Sequence, residues 1–455
     1  MANKTMLKQA LHLIENWIDY QVYTKELPGI AVGVFVEDEI IFKKEYGYAN
    51  LENKVKLTDQ HLFRIASHSK LFTATAIMKL YHEEKLSIDD KISKYLPWFT
   101  SEKDENLQNI RIRHLLTHSS GMTRDGRTAH WSTHEFPELE KIKEQVLEGI
   151  SFFKTSEILK YSNFAYTLLG QIIETASGQD YHDYIKKEIL EPLNMQNTVT
   201  DVNETNIARH ATGYKIKFPR QDRESFEHVP AKIMHSATGL SSTVEDLIKF
   251  YQAHIYGNDI LFPDYIKREM QRIQFKAKKA NWGLGFSITA LPNEDIEIAG
   301  HGGGYPGFIT RSGIIQDKKI ILVVLTNAVD GPALVLGMGI LKIFQKLVKD
   351  KEKLKQKPDE IVPDMKDIVG FYISDWGPSL FSQIGSKLAV IGPGADDPVE
   401  FLEFYKHEKD HKFISSKDFP FASPGQEIEF IDGPDGEKIF IDSHGGKHKR
   451  FSFSY

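Results

Sequence analysis

The 455-residue chain contains no cysteine, which excludes disulfides, thiolate nucleophiles and zinc–thiolate centres. Positive charge is not in excess either. The formal net charge is -6, which argues against a nucleic-acid footprint. Long apolar runs are missing: no stretch approaches the roughly 18 apolar residues that cross a bilayer, so no membrane span is expected. The amino-terminal MANKTMLKQALHLIENWIDYQV carries Glu15 and Asp19 inside a pattern of Met6, Ala10, Leu13, Ile14 and Trp17 at helical spacing. That pattern predicts one amphipathic helix and not a signal peptide. The chain as written is therefore expected in the cytoplasm, with secretion of a longer precursor left open.

What is present is the composition of a globular protein, 41% hydrophobic and 26% charged, on a chain too long for one ordinary core. After Pro28-Gly29, the runs IAVGVFV and IIFKKEYGYA flank Glu37-Asp38-Glu39 and predict a hairpin. A helix is expected from Ser67 to about Glu84, a short one in RIRHLLTHSSGM ending at Gly121, and a long one in AYTLLGQIIETASG ending at Gly178. Residues 122–150 are polar and read as a surface excursion. Ser242 and Glu245 fit a capping box. WGLGFSI, EIAGHGGGYPGFITRSGII and KKIILVVLTNA predict consecutive antiparallel strands, and ALVLGMGILKIFQKLVK a helix that can pack on their sheet.

The first and last strand groups are expected to share one sheet, because neither alone has enough strands to bury a face. The expected class is α+β: an antiparallel sheet flanked by helices, with a helical subdomain in the middle. The charged run DKEKLKQKPDE, residues 350–360, is the expected boundary between a domain at 1–349 and a second at 361–455. Beyond it, short alternating segments such as KLAVIG, EIEFI and KIFIDS predict a small all-β module, a barrel or a sandwich.

Three constellations carry chemistry. Ser67 and Lys70 stand three apart on a predicted helix, so their Cβ atoms lie about 5–6 Å apart on one face. An amine kept dry by Ile65, Leu71 and Phe72 favours its neutral form and can act as base toward a hydroxyl at the helix start. The motif is short, and Ser151-Phe152-Phe153-Lys154 matches it too; an N-cap serine beside a solvated lysine is the blander account. Tyr161-Ser162-Asn163 precedes a helix: a phenol can relay a proton and an amide can donate and accept, although an N-cap and an interface ring are the plainer reading. Gly300-His301-Gly302-Gly303-Gly304 lets backbone approach a ligand, or is simply a glycine-rich bend.

The order Ser-x-x-Lys, then Tyr-x-Asn, then His-x-Gly, with the flanks FRIASHSKLFTATAIMKL, YSNFAYTLLGQIIE and GHGGGYPGF, resembles the serine β-lactamases and penicillin-binding proteins. The likeness is to the class C β-lactamase branch with its DD-peptidases, D-aminopeptidases and esterases, over roughly residues 5–348. The resemblance implies that Ser67 is the acylated nucleophile, Lys70 and Tyr161 its proton-transfer partners, and His301 the counterpart of a usual lysine. It implies substrate contacts at Asn163, Gly302 and Gly303, an oxyanion hole from the N–H groups of Ser67 and Gly304, and no cofactor. The carboxy-terminal module resembles lipocalin-like barrels appended to some members. Two departures weigh against efficient β-lactam hydrolysis: Gly302 replaces a hydroxyl residue, and SEILK replaces the Pro-Gly usual before Tyr-x-Asn.

The expected function is a serine hydrolase working through an acyl-enzyme on a small-molecule or peptide amide or ester, with weak β-lactamase activity within its range. The alternative is a non-catalytic penicillin- or peptide-binding protein that keeps the fold. The Gly-x-Ser-x-Gly elbow of α/β-hydrolases is absent, and His130 and His134, four apart, lack the glutamate of a zincin helix, so no metal is expected. Oligomeric state is not legible.

Overall fold

The strands Gly29–Val36 (β1) and Ile320–Thr326 (β11) are buried at every position and pair antiparallel, with Ile30 opposite Thr326. Unbroken apolar runs such as IAVGVFV and IILVVLT suit strands covered on both faces. In the computed structural model, which describes residues 4–277, 281–291, 296–354, 364–415, 425–443 and 445–453, they are central to a nine-stranded sheet. Glu39–Asn50 (β2) and Val55–Lys56 (β3) extend it on one side. Phe63–Arg64 (β4) and Ser241–Ser242 (β5) form a separate two-stranded ribbon. Phe275–Lys276 (β6), Asn281–Trp282 (β7), Ser287–Ala290 (β8), Glu297–Tyr305 (β9) and Phe308–Ile315 (β10) complete the other side, in the order β3-β2-β1-β11-β10-β9-β8-β7-β6. The two ends of this region thus share one sheet, as strand count requires.

Two compact units emerge: residues 28–333, and residues 1–27 with 334–455. In the first, the helices Ser69–His82 and Asn163–Ser177 pack on each other, and their apolar sides belong to one buried cluster with Leu71, Phe72, Ile77, Leu168 and Ile172. In the second, Gly370–Ser374 (β12), Gly377–Ile384 (β13), Lys387–Ile391 (β14), Glu403–Lys409 (β15), Lys412–Ser415 (β16), Glu427–Asp432 (β17), Lys438–Ile441 (β18) and Lys447–Phe451 (β19) close into an antiparallel barrel. The interior is filled by Tyr372, Phe381, Leu388, Phe413, Phe430 and Phe440. The Gln21 amide and the Trp17 indole of the amino-terminal helix donate to the carbonyls of Pro393 (2.7 Å) and Ala395 (3.3 Å) in this unit. Of the expected linker, residues 355–360 lie outside the described residues.

Several local expectations need correction. The amino-terminal helix is two helices, Lys4–Gln9 and Leu11–Thr24, because the Ala10 N–H bonds the Leu7 carbonyl three residues back and breaks the ladder. The helix Val244–Ala253 is capped by Thr243, which accepts from the Asp246 N–H; Ser242 lies in β5. The short helix after Arg111 ends at Leu116, ahead of Gly121. Residues 122–150 are no mere excursion: Phe136, Ile142 and Val146 belong to the main core. His134 takes a left-handed conformation just past the helix His130–Thr133, and no metal-holding group of side chains occurs among the described residues.

Candidate active site

Ser67 does not sit in the first turn of its helix. It occupies a 3-10 turn, Ala66–His68, directly ahead of Ser69–His82. Ala66 holds φ at +50°, a left-handed conformation that costs a non-glycine residue roughly 1–2 kcal/mol. The turn is held from two sides. The Ile65 N–H donates to the Leu240 carbonyl at 3.0 Å, and Ser69 Oγ donates to the Ala66 carbonyl at 2.6 Å while accepting from the Leu240 N–H. Strand β9 presses on the same turn. A Cβ on Gly303 would stand 2.3 Å from the Ile65 carbonyl oxygen and 3.1 Å from the Ala66 Cβ, so only glycine permits this approach.

Lys70, fully buried, donates from Nζ to Ser67 Oγ at 3.2 Å and to the Ala237 carbonyl at 2.7 Å. Its amine stands 4.9 Å from the Tyr161 ring centre and 5.5 Å from that of Tyr166. No carboxylate among the described residues forms an ion pair with it. Burial pushes its pKa well below the ordinary lysine value; Asp125 opposes the shift and Arg124 adds to it.

Burial raises the Tyr161 phenol above the ordinary 10.0, with the Ser67 hydroxyl opposing the shift, so it stays protonated. Its ring rests on the buried His118, with ring centres 4.3 Å apart. His118 Nδ1 accepts the Ser162 N–H at 3.1 Å, which leaves the proton of the neutral imidazole on Nε2. Ser162 caps the helix Asn163–Ser177 by accepting from the Ala165 N–H, so the cap is Ser162 and the Asn163 side chain is left for other contacts.

His301 lies in β9, with its ring centre 6.2 Å from Tyr161, 5.4 Å from Trp282 and 6.0 Å from His68. Burial, then the nearby Lys70 and His68, hold its pKa well below the ordinary histidine value. Its Nδ1 meets the Gly302 carbonyl at 2.5 Å; a carbonyl only accepts, so Nδ1 carries the hydrogen. Nε2 is then a bare acceptor with no partner among the described residues.

Ser67, Tyr161, Asn163, His301, Gly302 and Gly304 line one cavity of about 710 Å³. Lys70 stands directly beneath Ser67, and Gly303 packs on the nucleophile turn. Residues about 234 positions apart in sequence are thus brought together, while the second Ser-x-x-Lys match lies apart from the cavity, with Phe152 exposed.

The Beta-lactamase family profile matches residues 14–342. The chain belongs to the β-lactamase family. This β-lactamase-family protein is 30% identical to "Penicillin-binding protein 4*" of Bacillus subtilis (strain 168) over 429 residues, covering 89% of this chain and 90% of that protein. It is 30% identical over 204 residues to "Protein flp" of Staphylococcus aureus (strain MRSA252), covering 45% of this chain and 41% of that protein. Its fold is that of the "octameric penicillin-binding protein homologue from Pyrococcus abyssi", with a TM-score of 0.66 and 23% identity over 96% of this chain and 100% of that one. The superfamily of β-lactamases and penicillin-binding proteins consists generally of serine hydrolases. No helix among the described residues is long and apolar enough to cross a membrane.

Sequence reasoning passed over Arg124, Asp125, Trp131, Trp282 and Arg311, all of which line the cavity. Trp131 and the Arg124-Asp125 pair come from the stretch read as a polar surface. Arg311 stands on β10 directly across from Gly302 and meets Thr289 Oγ1 at 3.5 Å; no carboxylate among the described residues pairs with it. His118, within the quoted LLTHSSGM, was legible as a motif but not as the shelf beneath Tyr161.

Proposed function

We propose that the protein is a serine hydrolase that forms an acyl-enzyme at Ser67 on an amide or ester. One observation carries this reading: a fully buried lysine amine without a carboxylate partner, 3.2 Å from a hydroxyl that opens onto the cavity. Burial without a carboxylate partner favours the neutral amine, and a neutral amine can take the Ser67 proton as Oγ attacks the acyl carbon. Tyr161, kept protonated by burial, returns a proton to the leaving nitrogen or oxygen. The N–H groups of Ser67 and Gly304 receive the oxyanion; losing one such donor costs about 10²–10³ in rate. His301, neutral with Nε2 bare, accepts a hydrogen bond at the back of the site. Water then attacks the acyl-enzyme, and the same groups return Ser67 to its resting state.

Asn163 and Gly302 form the wall along which the acyl group lies, and Gly303 backs that wall against the nucleophile turn. Arg311, across from Gly302, supplies a cation where the missing hydroxyl would otherwise grip a substrate carboxylate. The acyl donors fitting this wall are peptides and short esters. Penicillin belongs among the compounds to try, because a relative over nearly the whole chain is named a penicillin-binding protein.

Intact-mass measurement after incubation with penicillin, D-amino-acid amides and nitrophenyl esters tests the reading. The expected result is a mass increment on Ser67, seen on wild-type protein and absent from Ser67→Ala, with turnover of any hydrolysed substrate falling by up to roughly 10⁶-fold in that variant. A Ser67→Ala protein that retains wild-type turnover ends the proposal. Failure of a fluorophosphonate probe to label Ser67 supports the binding-protein alternative.

A further inference from the structure

Tyr161 stands in residues 159–162, which belong to no helix or strand, so no hydrogen-bond ladder sets the place of its phenol. A single residue grips this segment on both sides of the tyrosine. The His118 carbonyl accepts the Lys160 N–H at 2.8 Å, and His118 Nδ1 accepts the Ser162 N–H at 3.1 Å. The imidazole also lies against the phenol ring, with centres 4.3 Å apart and planes inclined by 36°. His118 holds φ at +57°, a left-handed conformation rare for a residue with a Cβ, and from it the carbonyl and the ring reach the same segment.

The imidazole is itself fixed. Trp282 meets it edge-on with ring centres 4.6 Å apart, and Tyr166 packs at 5.1 Å while its hydroxyl donates to the Leu116 carbonyl at 2.8 Å. Burial, and then the nearby Lys70, hold the His118 pKa well below the ordinary histidine value, so Nδ1 remains an acceptor. The Nε2–H end is buried and has no partner among the described residues. One end of the ring is therefore unpaired, which costs stability, while the other end holds the Ser162 N–H. Packing alone does not account for an imidazole at this place.

We propose that His118 is a positioning residue: its carbonyl and ring clamp residues 160–162 so that the Tyr161 phenol stays aligned with Ser67 and delivers its proton to the leaving group. This rests on the acyl-enzyme reading above. As the bond from Ser67 Oγ to the acyl carbon forms and the bond to the leaving oxygen breaks, the phenol proton passes to that oxygen. Lys70 then carries the proton taken from Ser67, and its transfer to the phenolate restores both groups. A leaving group that departs readily as an anion does not need the phenol proton, whereas an alkoxide does.

The test takes the acyl group found on Ser67 by intact mass and supplies it as its nitrophenyl and its ethyl ester, comparing kcat/KM, which reports acylation. His118→Ala is expected to lose roughly 30–100-fold on the ethyl ester and less than about threefold on the nitrophenyl ester, because a misplaced proton donor costs about 10² only where the donor is needed. Tyr161→Phe is expected to show the same selective loss. His118→Asn keeps an oxygen that accepts from the Ser162 N–H and suits a left-handed backbone, and is expected to return the ethyl ester to within about fivefold of wild type. Should His118→Ala not fold, His118→Phe keeps a ring under the phenol without the acceptor and is expected to lose about tenfold on the ethyl ester alone. A merely structural role would lower both esters together. Equal losses on the two esters, no loss on either, no rescue by asparagine, or a wild-type protein that turns over the nitrophenyl ester alone overturns the proposal and leaves the hydrolase reading standing. If no acyl group attaches to Ser67, both fall together.

Discussion

Three consecutive glycines in β9 make unequal demands, and substituting each by alanine separates them. At Gly303 the added Cβ would lie 2.3 Å from the Ile65 carbonyl oxygen and 2.4 Å from Thr310 Oγ1. Ordinary contact begins near 3.4 Å, so strand and nucleophile turn must part by roughly 1 Å, since one obstacle is backbone and cannot rotate aside. At Gly302 and Gly304 the nearest atoms would be 3.6 Å and 3.5 Å away, which is ordinary van der Waals contact that a methyl group can make without displacement. The alternation follows from strand geometry: successive positions face opposite sides. Overpacking of this kind costs typically 1–3 kcal/mol, and a 1 Å misplacement of a reacting group can cost about 10² in rate. Gly303→Ala is therefore expected to melt several degrees lower and to lose roughly 100-fold in the rate of fluorophosphonate labelling at Ser67. Gly302→Ala and Gly304→Ala should melt within about one degree of wild type. A Gly303→Ala protein with wild-type melting temperature and labelling rate would refute the claimed pressure of β9 on residues 65–66.

Three further outcomes follow from the burial of Lys70 and His254. Because the Lys70 pKa is pushed down, the amine is neutral above its folded-state value and becomes ammonium below it; acylation of Ser67 should fall as pH drops through that value, which lies well below that of an ordinary lysine. Lys70→Arg keeps the charge permanently and should lose about 10²–10⁴ in acylation rate, a loss that single-turnover labelling would reveal and that retention of a tenth of the rate would contradict. His254, fully buried between Thr75 Oγ1 (3.1 Å) and the Phe250 carbonyl (2.8 Å), has its pKa lowered to about 4 by burial. The unfolded chain binds this proton near 6.5 and the folded one does not, so stability is full above pH 6.5 and falls as pH drops toward 4, by up to about 3 kcal/mol. Urea titrations at pH 7 and pH 4.5 check the sign, and a His254→Asn protein should lose less between the two.

Local pattern alone determined much of this molecule. The hairpin of β1 and β2, the helix closed by Gly178, the unbroken apolar runs of the central strands and the one-turn relation of Ser67 to Lys70 all depend on neighbours within a few residues. Their physics is visible in a short window of sequence. Where two local signals competed, the window was too coarse: Thr243 caps the helix that Ser242 was expected to cap, and the amino-terminal helix breaks at Ala10 although its apolar spacing continues. The convergence of Tyr161 and His301 on Ser67, and the closing of eight short strands into a barrel, could be expected from motif order and resemblance; only the fold supplies the distances. No local pattern reveals the parts played by Asp125, Arg311, His118 and Trp282. Each acquires its part by facing something far away in the chain, an amide, a glycine, a phenol or an imidazole, and side-chain chemistry at that range is decided by packing.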